Sequence, residues 1–323
     1  MKISVALCTF NGAKYLSRQL ESIFLQTHPV DEIIICDDIS SDDTVAIIKD
    51  FQNKYANKIN LIINENNLGP KHNFEKVINV ADGDIIFLCD QDDTWPLNKV
   101  EKVVQAFNDN PDVLGVFTNG IIVDENENPT GMGLWESFMY TPYIQSKLTT
   151  HSLFESILRN LAIVTGATLA FKKEAKTIIL PFKHSKLFWH DEWIGYKLAA
   201  KNKLLPYNVP LFNYRIHPLQ QVGVYIDDYT TRSNTRERYF KHQFKPGEER
   251  LYIAFLYDRL KEARRICNLL NVRFDVLSVL ESKFKVEKKR GLRKLPFLKR
   301  KALLIKWTYE HRFETTLRDA FVI

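Results

Sequence analysis

Three aspartates that follow one short apolar segment are the residues of this sequence most suited to chemistry. Asp90, Asp92 and Asp93 come directly after Ile85–Cys89, a run rich in β-branched and aromatic residues. Such a run predicts a strand buried on both faces of a parallel sheet, and open sheets of this kind bind ligands at the carboxyl ends of their strands. Alternating carboxylates suit Mg²⁺ or Mn²⁺, which proteins commonly hold with one or two carboxylates and substrate phosphates. The alternative is a solvated turn in which Asp93 caps the next helix, but the position after a buried strand favours function.

The segments around these aspartates alternate between strand and helix patterns. Strands are predicted at Lys2–Thr9, Glu32–Cys36, Ile59–Ile63, Ile85–Cys89 and Val113–Val123. Helices are predicted at Ala13–Gln26, around Val45–Tyr55, at Asn73–Val80 and at Asn98–Phe107. Later predictions are a strand at Val164–Phe171, a helix at about Asp191–Lys201, a strand at Leu204–Leu211 and a loop-rich segment at 124–150. A strand and a helix repeated about every 25–30 residues predict right-handed βαβ units and a mostly parallel α/β sheet flanked by helices.

Polar side chains follow each of the first four predicted strands. Parallel topology places the carboxyl ends of these strands at one edge of the sheet, so we expect the side chains to converge on one crevice. Each has a local alternative as a cap or turn residue, but four such groups at one edge favour a binding site. A dinucleotide site of the usual kind is not expected, because the first turn, C-T-F-N-G-A, lacks the G-x-G-x-x-G pattern. The groups are Thr9 and Asn11, Asp37 and Asp38, Asn67 and Lys71, and Asp90, Asp92 and Asp93.

Size, composition and charge are those of a globular protein with one basic end. The 323 residues are 45% hydrophobic and 26% charged, which suits one large domain with an appendage or two domains. Residues 223–323 carry 24 Lys and Arg and 13 Asp and Glu, whereas residues 1–222 carry 21 and 26. The four cysteines form no C-x-x-C pair and are predicted to be reduced packing residues of a cytoplasmic protein. No signal peptide or membrane-spanning run is predicted.

Four motifs, in this order, resemble those of the inverting family 2 glycosyltransferases. They are C-T-F-N-G-A-K-Y-L, C-D-D-I-S-S-D-D-T, N-N-L-G-P-K-H-N-F and D-Q-D-D-T-W-P-L-N-K-V. The resemblance covers about residues 1–223 and continues in the segments 159–171, 190–200 and 214–223. The most similar branch contains bacterial rhamnosyltransferases and transferases of O-antigen and capsule sugars. The resemblance implies a GT-A-like, Rossmann-type nucleotide-sugar domain over residues 1–223, and residues 224–323 are predicted to form a helical, basic region.

The resemblance also implies a role for each motif residue. Asp191 would be the catalytic base that takes the proton of the acceptor hydroxyl, and its alternative is an acid that only caps the helix. Glu192 is the second candidate for the catalytic base. The implied donor-binding residues are Thr9, Asn11, Asp38, Asn67, Lys71, Asp90, Asp93 and Arg215, and the implied ligands of Mn²⁺ or Mg²⁺ are Asp92, Asp90 and His217.

Some positions depart from the family pattern or allow a second interpretation. Ile39 stands where the family usually has Gly, Gln220 stands where it commonly has Asn, and Pro70 is an additional rigid residue. A zinc site at His190 and His217 is disfavoured, because no third ligand stands at a recognisable spacing. Four aromatic residues are suited either to stack on an acceptor sugar or to pack in the core or a lid. These are Trp135, Phe138, Tyr140 and Tyr143.

The basic end contains a segment suited to a membrane surface. Residues 283–306 interleave Lys and Arg with Leu, Phe and Ile, a pattern that can lie on an anionic membrane with its apolar side in the interface. The alternative is a helical pair that packs on the catalytic domain. Nucleic-acid binding is not expected, because no recognised binding module accompanies the charge. The expected location is therefore the cytoplasm, peripheral to the inner face of the cell membrane.

These patterns together predict a metal-dependent, inverting sugar transfer. The donor would be dTDP-rhamnose or a UDP-sugar, and the acceptor a hydroxyl of a growing surface glycan or a lipid-linked saccharide. One alternative is an inactive scaffold or partner-binding protein on the same fold. The other is a sugar nucleotidyltransferase, which would need a Gly-rich first loop with Arg or Lys that Thr9–Lys14 does not provide.

Overall fold

The computed structural model divides the chain into two compact units, Met1–Tyr225 and Ile226–Ile323. It describes residues 1–138, 140, 145, 153–160, 163–183, 189–218, 220 and 263–270. In the second unit the described residues, 263–270, are helical. The predicted membrane segment 283–306 and Tyr143 lie outside the described residues, and the domain boundary at residue 223 stays a prediction.

The described residues of the first unit form one mixed sheet of eight strands. The strands are β1 (Ile3–Thr9), β2 (Glu32–Asp37), β3 (Ile59–Ile63), β4 (Ile85–Cys89), β5 (Gly115–Val123), β6 (Pro129–Gly133), β7 (Leu169–Lys172) and β8 (Leu204–Arg215). Their order is β3-β2-β1-β4-β7-β5-β6, with β8 also paired to β5. The pairs β1–β2, β1–β4, β2–β3 and β5–β8 are parallel, and β4–β7, β5–β7 and β5–β6 are antiparallel. The predicted α/β class with a mostly parallel sheet is confirmed.

Helices follow the first four strands and cover the sheet. The described helices of the first unit are α1 (Ala13–Phe24), α2 (Thr44–Lys54), α3 (Gly69–Val80), α4 (Lys99–Asp109), α5 (Leu134–Ser137), α6 (Leu153–Asn160), α7 (Lys176–Ile179) and α8 (His190–Ala199). All five residues of β4 and the inward side chains of α1 and α4 are buried. No helix in these described segments is both long and apolar enough to cross a membrane.

The sequence prediction was wrong in three places, all in the second half of this unit. Gly166–Thr168 forms a 3₁₀ turn, and strand β7 begins only after it. The strand predicted to end at Leu211 continues to Arg215, because its last residues pair with β5. Strand β6 and helix α5 lie within the segment that was predicted to be rich in loops.

Strand directions explain why distant parts of the chain meet at one edge of the sheet. Strand β5 is reached from β4 through two antiparallel pairings, so it runs in the same direction as β4. Strand β8 is parallel to β5, and its carboxyl end at Arg215 therefore lies at the same edge as that of β4. Strand β7 runs the opposite way, which brings the turn before its first residue to this edge as well. Together with the ends of β1, β2 and β3, which are parallel to β4, this edge combines the carboxyl ends of six described strands and one turn.

Candidate active site

A cavity of about 650 Å³ lies at the carboxyl ends of β1, β2 and β4 and against the start of α8. Nine of the eleven predicted site residues line it, while Lys71 and Arg215 are not among the lining residues. Gly166, Trp189 and His190 also line it, and the sequence did not predict a site role for them. The predicted residues that line the cavity are Thr9, Asn11, Asp38, Asn67, Asp90, Asp92, Asp93, Asp191 and His217.

At the end of β2, the Asp38 carboxylate fixes the loop that follows β3. Its Oδ1 accepts hydrogen bonds from the backbone N–H of Leu68 at 2.7 Å and the side-chain amide of Asn64 at 2.8 Å. Its Oδ2 accepts from the backbone N–H of Gly69 at 2.8 Å. The amide of Asn67 donates to the Asp38 carbonyl at 3.3 Å. Because three donors converge on one carboxylate, this wall of the cavity is formed by the chain itself.

The neighbouring Asp37 joins β2 to β1 and to the turn after β2. Thr9 donates its hydroxyl hydrogen to Asp37 Oδ2 at 2.8 Å, and Ser40 donates from both its N–H and its hydroxyl. The Asn11 side-chain oxygen accepts from the backbone N–H of Ser41 at 2.8 Å. In this turn Ile39 has φ of 64°, so it adopts the left-handed conformation that glycine would take without a steric penalty.

After β4, three carboxyl groups lie close together and accept fewer hydrogen bonds than the carboxylates after β2. Burial, together with the charges of Asp92 and Asp191, raises the pKa of Asp90 to about 8. Burial and the charges of Asp92 and Asp90 raise the pKa of Asp93 well above its ordinary value, although the backbone N–H of Arg215 donates to Asp93 Oδ1 at 2.9 Å. A group of acids in this state favours a proton or a cation between its members.

Two of these carboxylates suit a divalent cation that is completed by other ligands. Asp90 and Asp92 both face the cavity, and carboxylate oxygens are the ligands that Mg²⁺ and Mn²⁺ prefer. His217 Nε2 lies 3.0 Å from Asp92 Oδ2 and forms a hydrogen bond with it. Within the residues that the structure describes, no three His, Cys, Asp or Glu side chains are grouped closely enough to hold a metal ion. The predicted set of Asp90, Asp92 and His217 therefore does not form a three-ligand site by itself.

Arg215 lies behind the aspartates as a buried structural group. Its Nε donates to the Asp92 carbonyl at 2.7 Å, its Nη1 to the Glu125 carbonyl at 2.8 Å and its Nη2 to Glu127 Oε1 at 2.9 Å. The guanidinium carbon lies 5.0 Å from the ring centroid of Tyr15, within the range of a cation–π contact. The side chain is 3% exposed. These contacts tie the segment after β4 to the loop after β5.

Asp191 lines the cavity at the start of α8, and both of its carboxylate oxygens accept hydrogen bonds. Oδ2 accepts a hydrogen bond from the backbone N–H of Gly166 at 2.9 Å, and Oδ1 accepts from the backbone N–H of Glu192 at 2.8 Å. The Glu192 carboxylate accepts from the N–H of Trp189 at 2.8 Å, as in a helix-capping arrangement. Asp191 and Glu192 both line the cavity, and Glu192, the predicted substitute base, also caps α8.

The residues around Asp191 have features that the sequence did not indicate. A Cβ atom on Gly166 would lie 2.9 Å from His190 Nε2, so a larger residue here would require the buried imidazole to shift. The His190 ring stacks on Phe74 at 3.9 Å between centroids. Its two nitrogens are buried without a hydrogen-bond partner in the described structure, and burial lowers its pKa. Lys71 Nζ lies 5.3 Å from the ring centroid of Trp189. Burial lowers the pKa of Lys71.

The predicted aromatic residues divide between core and cavity. Trp135 and Tyr140 are buried, with ring centroids 5.0 Å apart, and Trp135 also contacts Phe117. Phe138 lines the cavity. For Trp135 and Tyr140 the core interpretation is therefore confirmed.

The sequence matches one protein-family model and several glycosyltransferase sequences. Residues 4–175 match the model described as Glycosyl transferase family 2. An uncharacterized glycosyltransferase of Nostoc sp. is 30% identical over 218 residues, which are 67% of this chain and 65% of that protein, slightly less than two thirds of its length. The dTDP-rhamnosyl transferase RfbG of Shigella flexneri is 28% identical over 235 residues, which are 68% of this chain and 74% of that one.

Solved structures share the fold at low sequence identity. TarS 1–349 of S. aureus in complex with UDP has a TM-score of 0.53 and 15% identity, over 96% of this chain and 87% of that one. The mannosyltransferase PcManGT of Pyrobaculum calidifontis in complex with GDP-Man and Mn²⁺ has a TM-score of 0.50 and 14% identity, over 97% and 81% of the two chains. These likenesses support the GT-A-like fold.

Proposed function

Because the chain belongs to glycosyl transferase family 2, the resemblance inferred from its motifs is confirmed, and we propose that it moves a sugar from a nucleoside-diphosphate donor to an acceptor hydroxyl. The observation that carries this proposal is the cavity, in which carboxylates from three separate parts of the chain face one volume of about 650 Å³. Asp38 follows β2, Asp90 and Asp92 follow β4, and Asp191 begins α8. A volume of this size is in the range of small-molecule sites.

We assign the nucleoside to the wall formed by the ends of β1 and β2. Asp38 uses Oδ1 for two hydrogen bonds and Oδ2 for one, so Oδ2 retains capacity to accept a hydrogen bond from a base or a ribose. Asn11 and Asn67 line the same side of the cavity. Thr9 supports this wall indirectly, since its hydroxyl is bound to Asp37.

We assign the diphosphate and its Mn²⁺ or Mg²⁺ ion to Asp90 and Asp92. The raised pKa of Asp90, which reflects burial and its acidic neighbours, is what a cation bound at this position would reverse. Such an ion, when bound, stabilises the negative charge that develops on the departing diphosphate. His217 orients one of the two carboxylates through its bond to Asp92 Oδ2, and Arg215 fixes the backbone of the same residue.

We assign the role of general base to Asp191. The acceptor oxygen attacks the anomeric carbon as the bond from that carbon to the diphosphate oxygen breaks, and the leaving diphosphate keeps the bonding electrons. Asp191 takes the proton of the attacking hydroxyl, a step that typically contributes about 10²–10⁴-fold to the rate. The N–H groups of Gly166 and Glu192 hold its two oxygens and orient the carboxylate. A single displacement of this kind inverts the anomeric configuration.

Two related proteins support a finer proposal for the donor. We propose dTDP-rhamnose or a UDP-sugar as the donor, since a dTDP-rhamnosyl transferase is 28% identical over 68% of this chain and TarS, a structural neighbour, was solved with UDP. We further propose a surface glycan or lipid-linked saccharide as the acceptor. Residues 283–306 would hold the protein at an anionic membrane surface, through their interleaved basic and apolar residues.

Thermal unfolding with added nucleotides tests the donor assignment. The protein is heated with UDP, dTDP, GDP and CMP, each with and without Mn²⁺. A ligand at 100 times its Kd stabilises the folded state by about 2.7 kcal/mol, so we expect one diphosphate to raise the Tm in a Mn²⁺-dependent way. The variant Asp92→Ala should lose this shift, and Asp50→Ala, which removes an exposed acid from α2, should keep it. No shift with any nucleotide would overturn the site assignment and favour the inactive scaffold.

The variant Asp191→Asn tests the assignment of the base. We expect nucleotide sugar to bind as in the wild type, because Asp191 faces the acceptor side, and transfer to fall by about 10²–10⁴-fold. The measurement is the release of nucleoside diphosphate together with the nucleotide-dependent Tm shift. Normal turnover in this variant would exclude Asp191 as the base.

A further inference from the structure

Lys99 is a fully buried lysine behind the active site, and the proposed chemistry gives it no role. It is the first residue of α4 and is 1% exposed. Its Nζ donates to the carbonyl of Ala167 at 2.7 Å. The same ammonium group lies 4.2 Å from the ring centroid of Trp95 and 5.0 Å from that of Phe212. Burying a lysine is costly unless its polar group is used. Here one N–H of Lys99 binds the turn before β7, and the side-chain nitrogen also lies over the ring of Phe212 in β8.

The turn that Lys99 contacts is the one that holds Asp191. Residues Gly166–Thr168 form a 3₁₀ turn, closed by the N–H and hydroxyl of Thr168, which both donate to the Thr165 carbonyl. The N–H of Gly166 donates to Asp191 Oδ2 at 2.9 Å. Ala167 lies between these contacts, and its carbonyl is the one that accepts from Lys99. The contacts therefore run without a gap from α4 to Asp191.

Lys99 is also close in sequence to the aspartates at the opposite side of the cavity. Only five residues separate it from Asp93. Burial lowers the pKa of Lys99 to about 7, against the charges of Cys89, Asp93 and Asp90, which raise it. One end of this segment carries Asp90 and Asp92, and the other end is fixed to the turn. A change at Lys99 would thus alter the position of Asp191 relative to the aspartates, while leaving the wall at β2 in place.

We propose that Lys99 is a positioning residue that holds the Gly166–Thr168 turn, and through it Asp191, at a fixed distance from Asp90 and Asp92. The inference rests on the proposed function, because it gives that distance a catalytic meaning. A single displacement needs the base and the leaving group in line on opposite faces of the sugar. A misplacement of about 1 Å can lower such a rate by about 10²-fold.

The test compares Lys99→Met with Lys172→Met. Methionine keeps the apolar stem of lysine and removes the ammonium group. Lys172 is a matched control, because its Nζ also donates to a backbone carbonyl, that of Pro111 at 2.7 Å, and lies 5.6 Å from the Phe107 ring centroid. The assay is diphosphate release from UDP-glucose, UDP-N-acetylglucosamine, dTDP-rhamnose and GDP-mannose. We expect Lys99→Met to lower kcat by about 10- to 100-fold with donor affinity unchanged, and Lys172→Met to leave both unchanged.

A double-mutant cycle with Asp191→Asn separates positioning from a general structural effect. If Lys99 acts through Asp191, Lys99→Met causes no further loss of kcat once Asp191 is Asn. Independent losses that multiply in the double variant would overturn the inference, as would a wild-type kcat in Lys99→Met. Wild-type protein that binds and turns over none of the four donors would instead overturn the proposed function.

A second variant keeps the test valid if Lys99→Met does not fold. Thr168→Val removes the hydroxyl bond to the Thr165 carbonyl and leaves Lys99 in place. Thr168→Val weakens the same turn through a different contact. We therefore expect it to lower kcat in the wild-type background but not in the Asp191→Asn background. Hydrogen exchange of the segment 165–168 should become faster in both variants and stay unchanged in Lys172→Met. Unchanged exchange and unchanged kcat in Thr168→Val would contradict the role of the turn.

Discussion

The ends of strands β2 and β4 both carry consecutive acids, yet the two ends are stabilised in opposite ways. At β2, the carboxylates of Asp37 and Asp38 accept hydrogen bonds from three residues of the loop after β3, from Ser40 and from Thr9. At β4, Asp92 forms one hydrogen bond with His217 and Asp93 accepts one from the backbone N–H of Arg215, while burial and the neighbouring acids raise the pKa of Asp90 to about 8. The chain's own donors compensate the carboxylates at β2, whereas the carboxyls at β4 keep a high affinity for a proton or a cation.

This difference indicates which part of the site is preformed before a ligand binds. Backbone N–H groups are fixed donors, so the wall at Asp38 is preformed and selects by shape. The end of β4 instead gains stability when a cation or a proton arrives. Under the proposed function, the first end recognises the nucleoside and the second recognises the charged diphosphate with its metal ion. The comparison predicts that the removal of one carboxylate changes stability with opposite sign at the two ends.

The largest loss of stability is expected from the arginine that holds the β4 end from behind. Arg215→Met removes a buried guanidinium and leaves the carbonyls of Asp92 and Glu125 without their donor. We expect the free energy of unfolding to fall by about 3 kcal/mol. Arg18→Met is the control, because Arg18 binds the same Glu127 but is 64% exposed, and it should cost less than about 1 kcal/mol. Urea unfolding measures both, and equal losses would contradict the structural role of Arg215.

A smaller loss is expected at the β2 end. Asp38→Ala leaves the N–H groups of Leu68 and Gly69 and the amide of Asn64 without their acceptor. We expect unfolding to become easier by about 2 kcal/mol, and hydrogen exchange to become faster in the loop after β3. Asp43→Ala is the control, since its exposed side chain makes no capping hydrogen bond, and it should change stability by less than about 0.5 kcal/mol. A stability gain in Asp38→Ala would remove the contrast between the two ends.

The four parallel strands and their polar ends could be predicted from the sequence because their signals are local. Each apolar run is followed within a few residues by the side chains that reach the cavity, as Ile85–Cys89 is followed by Asp90. The predicted bounds of β1 to β4 differ from the observed ones by one residue at most. The start of α8, with Asp191, has the same local character.

The turn at Gly166–Thr168 and the role of Arg215 could not be predicted, because both depend on distant residues. The segment V-T-G-A-T-L-A-F has the composition of a strand, but its first half is held as a turn by Lys99, 68 positions away from Ala167. Arg215 lies near the acids, as predicted, but its guanidinium is taken by the carbonyls of Asp92 and Glu125. Glu125 lies in a segment without a readable period.

At the β4 end, the comparison predicts a gain in stability. Asp90 has a folded-state pKa raised to about 8 by burial and acidic neighbours, so the folded protein binds its proton more tightly than the unfolded chain. The stability that Asp90 supplies therefore decreases as pH rises from about 4 to about 8, by at most about 1.4 kcal/mol per pH unit. Asp90→Asn removes this dependence.

We expect Asp90→Asn to be more stable than the wild type at pH 8, with a difference that shrinks towards pH 4. Urea unfolding across this range measures it in the absence of nucleotide and metal. With Mn²⁺ and the diphosphate that stabilises the wild type, the order should reverse, because the variant lacks one carboxylate for the cation. A variant that is less stable than the wild type at pH 8 without ligand would show that the β4 end is compensated after all.

The smallest effect is expected in the turn that completes the β2 end. Ile39 adopts φ of 64° and is 43% exposed, and a β-branched residue in the left-handed region carries about 1–2 kcal/mol of strain. Ile39→Gly removes this strain. It also increases the conformational entropy of the unfolded chain, which lowers the free energy of unfolding by about 0.5–1 kcal/mol. The net expectation is a gain of about 0.5–1 kcal/mol in the free energy of unfolding. Ile63→Gly is the matched control, because Ile63 is 47% exposed in strand β3, where glycine should cost about 1 kcal/mol. Losses of equal size in both variants would mean that the turn holds Ile39 without strain, and that the preformed β2 end carries no cost of its own.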